Sequence, residues 1–323
     1  MASLRYGSLL LDDLANLTLV SQPLVEDFLY ENKVLMIAAD PGIGKSLIAT
    51  QLAVSLSSAI PLFGALKIPS PRYVYYLQLE GAYEEFIERM RAMQQVIPIA
   101  TDYLCWDSTP HLNVLKDDHV DAVVARIKDW HRPDCIIIDP LYMSVMGGLS
   151  KDEPASAFVR FSSILGKEFG ASRILIHHTH RALYDRKGEQ IEEVDPFYGS
   201  QWLKAHVDIS YHLKALDADH AQTRLHNTKA RAANVMKNIV LQYHPETMTC
   251  TMVGERGSDT ATARILAYFN DCKKAGDATD FYQVQRRCQV STAQLRHLLN
   301  QTVISEKITV DKSNGRKHIW RVR

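Results

Sequence analysis

The sequence predicts an α/β fold with a largely parallel central sheet, followed by a small basic domain, and three observations point to it. Apolar runs of strand length alternate with segments of helical period along residues 34–213. The stretch Ala39-Asp40-Pro41-Gly42-Ile43-Gly44-Lys45-Ser46 lies between such a run, at 34–38, and a helical segment at 47–59. The chain is neutral overall, with 37 Lys and Arg against 37 Asp and Glu, yet residues 261–323 hold twelve basic and five acidic residues, +7 there and −7 elsewhere. That asymmetry suggests a polyanion-binding module joined to a near-neutral or acidic body.

The context of 39–46 is strand, phosphate loop, helix. Gly42 and Gly44 permit positive φ and close backbone approach, so that successive N–H groups and the positive end of the following helix can face a polyphosphate. Lys45 would reach the β and γ phosphates of ATP, and Ser46 would offer its hydroxyl to a bridging Mg²⁺. Pro41, Gly42, Ile43, Gly44, Lys45, Ser46 and Leu47 are therefore the expected nucleotide-binding residues. The consensus loop opens with Gly, where this chain has the small Ala39. A merely Gly-rich turn would not account for a lysine at position 45.

Each element then follows in order. Residues 1–32 are a lead-in of irregular pattern, expected to pack beside the first strand. The helix at 47–59 presents Leu47, Ala49, Leu52, Ala53 and Leu56 on one face, and Pro61 and Gly64 end it. A strand at 73–79 delivers Glu80-Gly81, and an amphipathic helix follows at 84–93. Residues 118–130 form a helix, Pro133 breaks it, and Cys135-Ile136-Ile137-Ile138 is a strand ending on Asp139. A helix at 156–169 faces Phe158, Phe161, Ile164 and Leu165 to the sheet and leads into a strand at 173–176. Strands apolar on both faces imply a parallel sheet. Strands at 239–243 and 248–253 read as a closing hairpin.

Composition sets the outer limits. With 46% hydrophobic residues the chain can build packed cores, and its length suits roughly two domains of ~150 residues. Its longest apolar runs fall far short of the ~20 residues a bilayer span requires. Residues 1–11 lack a basic start followed by an apolar core, so a cytoplasmic protein without a membrane partner is expected. Cys105, Cys135, Cys250, Cys272 and Cys288 are odd in number and contain no Cys-x-x-Cys pair, which implies reduced thiols and no zinc site.

In a parallel sheet the ligand lies off the carboxyl ends of the strands. Glu80, Asp139 and His178 are all expected there. A carboxylate ending an Ile run is unfavourable as core material, so Asp139 fits the Mg²⁺ shell beside Ser46, with a helix cap as the alternative. Glu80 can orient the attacking water or merely start a helix. In His177-His178-Thr179-His180 successive side chains point to opposite sides and lack a carboxylate partner, so contact with the γ phosphate is favoured over metal binding. Polar, aperiodic loops at 142–154 and 181–198 leave the same edge.

Ala39 to Ser46, Glu80 after a strand, Asp139 after Ile-Ile-Ile, the His-His strand end and Gly199-Ser200-Gln201 before 207–213 together resemble the RecA-like ATPase core. They are most similar to the plasmid hexameric replicative helicases of the RepA kind and, more distantly, to DnaB. The likeness covers roughly residues 20–253. It implies that Glu80 is the catalytic glutamate, Asp139 the Walker B aspartate and His178 a sensor linking the γ phosphate to DNA-contacting loops. Those loops would be 142–154 and 181–198, the latter carrying Arg181, Arg186 and Lys187. DnaB-like chains can also begin the loop with Ala. The resemblance further implies that Lys229-Ala230-Arg231 reaches a neighbouring subunit's nucleotide, although a plain surface pair is the alternative.

The expected division is an ATPase domain at 1–255, a linker at 256–260 and a basic domain at 261–323. Helices near 261–274, 281–288 and 291–301, with Ser291 and Gln294 as a capping box, precede strands at 308–310 and 318–322 flanking Asn314-Gly315. Three helices and a basic hairpin resemble a winged helix-turn-helix. Its third helix would offer Gln294, Arg296, His297 and Asn300 to the major groove, and its wing Lys312, Arg316 and Lys317. A protein-binding winged helix is the alternative. The expectation is an ATP-hydrolysing, Mg²⁺-dependent motor, a homo-oligomer and preferably a hexamer, with single-stranded DNA in a central channel and duplex DNA at the winged helix. A replicative helicase is favoured over a recombination or repair ATPase and over an ATP-controlled DNA-binding regulator.

Overall fold

The computed structural model describes residues 21–145, 149, 151–179, 201–231, 235–254, 268–269, 272, 279–288, 308–311 and 319–322 of the chain. Strands β1 (Pro23–Val25) and β2 (Leu29–Tyr30) make a two-stranded ribbon, in which Leu24, Val25, Phe28 and Leu29 are fully buried. This accounts for the second half of the lead-in, while residues 1–20 lie outside the described residues. Nine further strands share one sheet. They are β3 (Val34–Ala39), β4 (Val74–Gln78), β5 (Leu104–Ser108), β6 (Cys135–Asp139), β7 (Ser172–His178), β8 (Ile209–Ala215), β9 (Gln222–Ala230), β10 (Asn238–His244) and β11 (Thr249–Gly254). Their spatial order is β11-β10-β9-β8-β3-β7-β6-β4-β5. The six strands from β8 to β5 are parallel, and β9, β10 and β11 extend the sheet in antiparallel fashion.

Alternation along β3 shows how the sheet divides the core. Leu35 and Ile37 face one apolar layer, with Ile48, Leu52 and Leu56 of helix α1 (Lys45–Ser58), Phe28 of the ribbon, and Tyr211 and Leu241. Val34 and Met36 face the other. That second layer holds Val123 and Ile127 of a helix at Asp117–Trp130, and Phe158, Phe161 and Leu165 of a helix at Asp152–Phe169. Strands buried from both sides must be apolar throughout, as Ile136, Ile137 and Ile138 are.

The structure departs from expectation in particular places. Helix α1 is buried nearly all round, its side chains sharing one apolar cluster with the ribbon and with Ile239, Leu241 and Cys250 of β10 and β11 as well as with the parallel strands. Its polar Gln51 accepts from Cys250 N at 2.7 Å and donates to Cys250 O at 2.8 Å, completing the backbone pairing of β11. Strand β5 was not expected. It lies at the sheet edge, only partly buried, so its sequence Leu-Cys-Trp-Asp-Ser carries no strong alternation. The helix expected at 156–169 starts at Asp152, since Pro154 is tolerated in a first turn. The presumed loop at 142–154 is correspondingly shorter and opens with a 3₁₀ turn, Leu141–Ser144. Strand β9 had no forecast beyond its Lys229-x-Arg231 end.

In the basic region β13 (Ile308–Asp311) pairs antiparallel with β14 (Ile319–Val322), and β12 (Thr279–Asp280) joins the far side of β14. A helix at Phe281–Cys288 follows β12. The expected third helix with Gln294, Arg296, His297 and Asn300, and the turn with Lys312, Arg316 and Lys317, lie outside the described residues. The loop at 181–198, with Arg181, Arg186 and Lys187, does too. Among the described residues no helix is long and apolar enough to cross a membrane.

Candidate nucleotide site

The carboxyl ends of the parallel strands meet at one cleft of about 390 Å³. Strand register explains the convergence, because Ala39 pairs with His178 across β3 and β7, and Gln78 pairs with Asp139 across β4 and β6. Gly42, Gly44, Lys45, Ser46 and Leu47 line it together with Glu80, Asp139 and His178. Gly44 has φ of 95°, and a Cβ built there meets nothing within 4 Å, so its requirement is conformational. Gly81, beside Glu80, has φ of 93° and lies against the Gln78 side chain. Pro41 is exposed on the loop, and Ile43 faces an adjoining recess of about 340 Å³ with Tyr243, His220 and Met248.

Lys45 is only 4% exposed. Its ammonium donates to the carbonyls of Ala39, at 2.9 Å, and Asp40, at 2.7 Å. Burial pulls it down to about 8, against the opposing charges of Asp139, Asp40 and Glu80. The Thr179 hydroxyl donates to the Asp40 carboxylate, pinning the loop to the end of β7. Ser46 Oγ donates to Asp139 Oδ1 at 3.1 Å, and Tyr76 donates to Asp139 Oδ2 at 2.5 Å. Burial raises the Asp139 carboxyl above its usual range, while those hydrogen bonds and the charges of Arg89 and Lys45 counter the effect. His178 is held below its ordinary value by burial first and Lys45 second, which favours neutral imidazole.

The donor set suits a nucleotide and its ion. A buried ammonium on a positive-φ loop at a helix amino terminus matches a polyphosphate, and the adjacent Ser46 hydroxyl and Asp139 carboxylate are hard oxygen donors of the kind Mg²⁺ takes. A family profile described as the AAA domain matches residues 3–182. This chain belongs to the AAA-domain family. Its fold is that of a RecA-like P-loop ATPase. Among solved structures it is similar to a DnaB-like replicative helicase studied with primase, with TM-score 0.54 and 14% identity over 74% of this chain and 66% of that one. The chain thus spans just under two thirds of that helicase. A KaiC-like protein of Pyrococcus horikoshii matches with TM-score 0.49 and 13% identity over 72% of this chain and 94% of that one. No curated protein matches.

Within this AAA-domain chain the Lys229-x-Arg231 pair lies away from the cleft. Lys229 pairs with Ser210, and Ile209 pairs with Leu35, so the pair sits at the amino end of β3 while Lys45 follows the carboxyl end. The Arg231 guanidinium is 3.8 Å from Asp208 Oδ1, and Lys229 donates to the Lys204 carbonyl. Other side chains in the AAA-domain cleft escaped the sequence reading. Arg89 lines both recesses and donates to Thr50 Oγ1 at 3.2 Å. It lies on the helix at Tyr83–Met93 that buries Phe86 and Met93. A charge spaced as core was the available signal. Trp106 of β5 stacks with Phe86 and Tyr76 and donates to Gln78 Oε1 at 2.8 Å, and Gln78 donates to the Glu80 carbonyl at 2.9 Å. Nothing local in the sequence marks that relay.

Proposed function

We propose that this chain is an ATP-hydrolysing DNA motor of the RecA and DnaB class, a RepA-like hexameric replicative helicase of a plasmid, phage or mobile element. One observation carries the proposal: Lys45, Ser46, Glu80, Asp139 and His178, from four separate places in the sequence, line a single cleft at the carboxyl edge of the sheet. Lys45 and the loop amides hold the β and γ phosphates, and the adjoining recess takes the base. Ser46 and Asp139 hold Mg²⁺, which neutralises charge on the phosphate oxygens when bound. Glu80 orients and deprotonates the attacking water, and neutral His178 donates a hydrogen bond to the γ phosphate. Lys229 and Arg231 complete a neighbouring subunit's site. Residues 261–323 act as a winged helix on duplex DNA, and single-stranded DNA passes through the channel. The fold of a DnaB-like replicative helicase supports the motor reading.

ATP turnover and unwinding of forked DNA test this directly. Glu80→Gln should keep ATP binding and lose most turnover, while Lys45→Ala should impair both. Turnover without strand separation would favour a remodelling ATPase, and Glu80→Gln turnover near that of the unaltered protein would remove Glu80 from the mechanism.

A further inference from the structure

Strand register places Trp106 among the residues that hold the cleft carboxylates. Tyr76 pairs with Trp106 across β4 and β5 and with Ile137 across β4 and β6, and Gln78 pairs with Asp139. Side chains alternate along a strand, so Tyr76, Gln78, Trp106 and Asp139 share one side of the sheet, that of helix α1. There the Trp106 ring stacks with both Tyr76 and Phe86, and its Nε1 donates to Gln78 Oε1 at 2.8 Å.

Gln78 is 8% exposed, and each end of its amide is used, because Nε2 donates to the Glu80 carbonyl at 2.9 Å. An indole N–H can only donate, so the oxygen end of the amide must face Trp106 and the nitrogen end is left for Glu80. Turning the amide round would set donor against donor and oxygen against oxygen. The peptide it holds is tightly enclosed, since Gly81 has φ of 93° and a Cβ there would lie 3.2 Å from Gln78 Nε2. The Glu80 carboxylate accepts from the Tyr142 hydroxyl at 2.7 Å. The backbone from which that side chain sets out is fixed by Gln78.

We propose that Trp106 is a positioning residue for ATP hydrolysis: it decides which way round the Gln78 amide lies, and so fixes the Glu80–Gly81 peptide and the direction in which Glu80 meets the attacking water. The proposal rests on the reading of Glu80 given above and extends it to two side chains outside the phosphate loop. A misplacement of ~1 Å at a reacting group can cost ~10²-fold in rate, so losing this orientation should lower turnover on the order of 10- to 100-fold.

Trp106→Phe keeps an aromatic ring beside Tyr76 and Phe86 and deletes the N–H donor. Its kcat should fall on the order of 10- to 100-fold, while KM for ATP, set by the phosphate loop, changes little. Gln78→Glu keeps an acceptor for Trp106 but turns an oxygen toward the Glu80 carbonyl, and should lose kcat in the same way. It leaves the aromatic stack whole, so it carries the test if Trp106→Phe does not fold. In a Glu80→Gln background, single-turnover rates should not respond to either change, whereas a merely structural role would move both backgrounds alike. A kcat near that of the unaltered protein, a loss that lies in KM instead, or an equal loss in the Glu80→Gln background overturns the proposal. If Glu80→Gln is itself impaired and these variants are not, the proposal falls alone. If Glu80→Gln turns over normally, the reading of Glu80 falls and takes the proposal with it.

Discussion

Replacing Arg231 with Ala asks whether each nucleotide site is completed by a second copy of the chain. Arg231 stands at the amino end of β3 and Lys45 beyond its carboxyl end. Six residues of strand separate them by roughly 17 Å at ~3.3 Å per residue. At that distance a unit charge contributes about 1 kcal/mol at an effective dielectric of ~20 and about 0.2 kcal/mol in water. Salt with a Debye length of ~8 Å weakens it further. Acting within its own subunit, Arg231 could therefore change turnover by no more than about fivefold. A guanidinium placed directly on the transferring phosphoryl group is worth ~10³ to 10⁵. Arg231→Ala should accordingly abolish nearly all ATP hydrolysis while ATP affinity, measured by fluorescent-nucleotide titration, stays near normal. Mixing it with Lys45→Ala protein should restore about a quarter of normal turnover. That is the fraction of interfaces in a randomly assembled ring that join an intact loop to an intact arginine. If the two proteins co-assemble and the mixture is no more active than its parts, the shared site is refuted, and the Asp208 ion pair is all that Arg231 serves.

Tyr76→Phe removes a hydrogen bond to the buried Asp139 carboxylate. Without nucleotide or metal it should destabilise the protein by ~1.5–3 kcal/mol at pH 7, falling toward ~1 kcal/mol in acid. The sign follows from the raised Asp139 carboxyl: stability at that site is greatest in acid and is lost as pH rises through the folded value. Losing Tyr76 raises that value further. Urea midpoints at the two pH values check it, and equal losses at both would contradict it. Deleting residues 258–323 should leave ATP turnover intact and flatten the salt dependence of duplex DNA binding by ~0.9 in log-log slope per lost phosphate contact. An unchanged slope would assign the surplus charge to a protein partner.

Much of the cleft was legible because its residues interrupt patterns. Lys45 closes a glycine loop, Asp139 ends an isoleucine strand, and Glu80 follows the last buried residue of another. A parallel sheet then brings strand ends together without further information. What could not be read depends on pairings distant in sequence. Tyr76 lies 63 residues before the Asp139 it contacts, and Tyr142 lies 62 after Glu80. Neither tyrosine disturbs its local pattern. Arg89 was within reach, as a charge on the face shared with Phe86 and Met93. Trp106 was hidden because its strand borders the sheet, where partial exposure removes the alternation that reveals inner strands.

The Gln51 amide behaves as one more rung of the sheet: its two hydrogen bonds to Cys250 join the middle of helix α1 to β11. Helix α1 begins at Lys45, and β11 ends at Gly254, where the chain departs toward its basic region. Next to the chain beyond Gly254, β11 is therefore held on two sides, by its partner strand β10 and, through Gln51, by the helix that begins at Lys45.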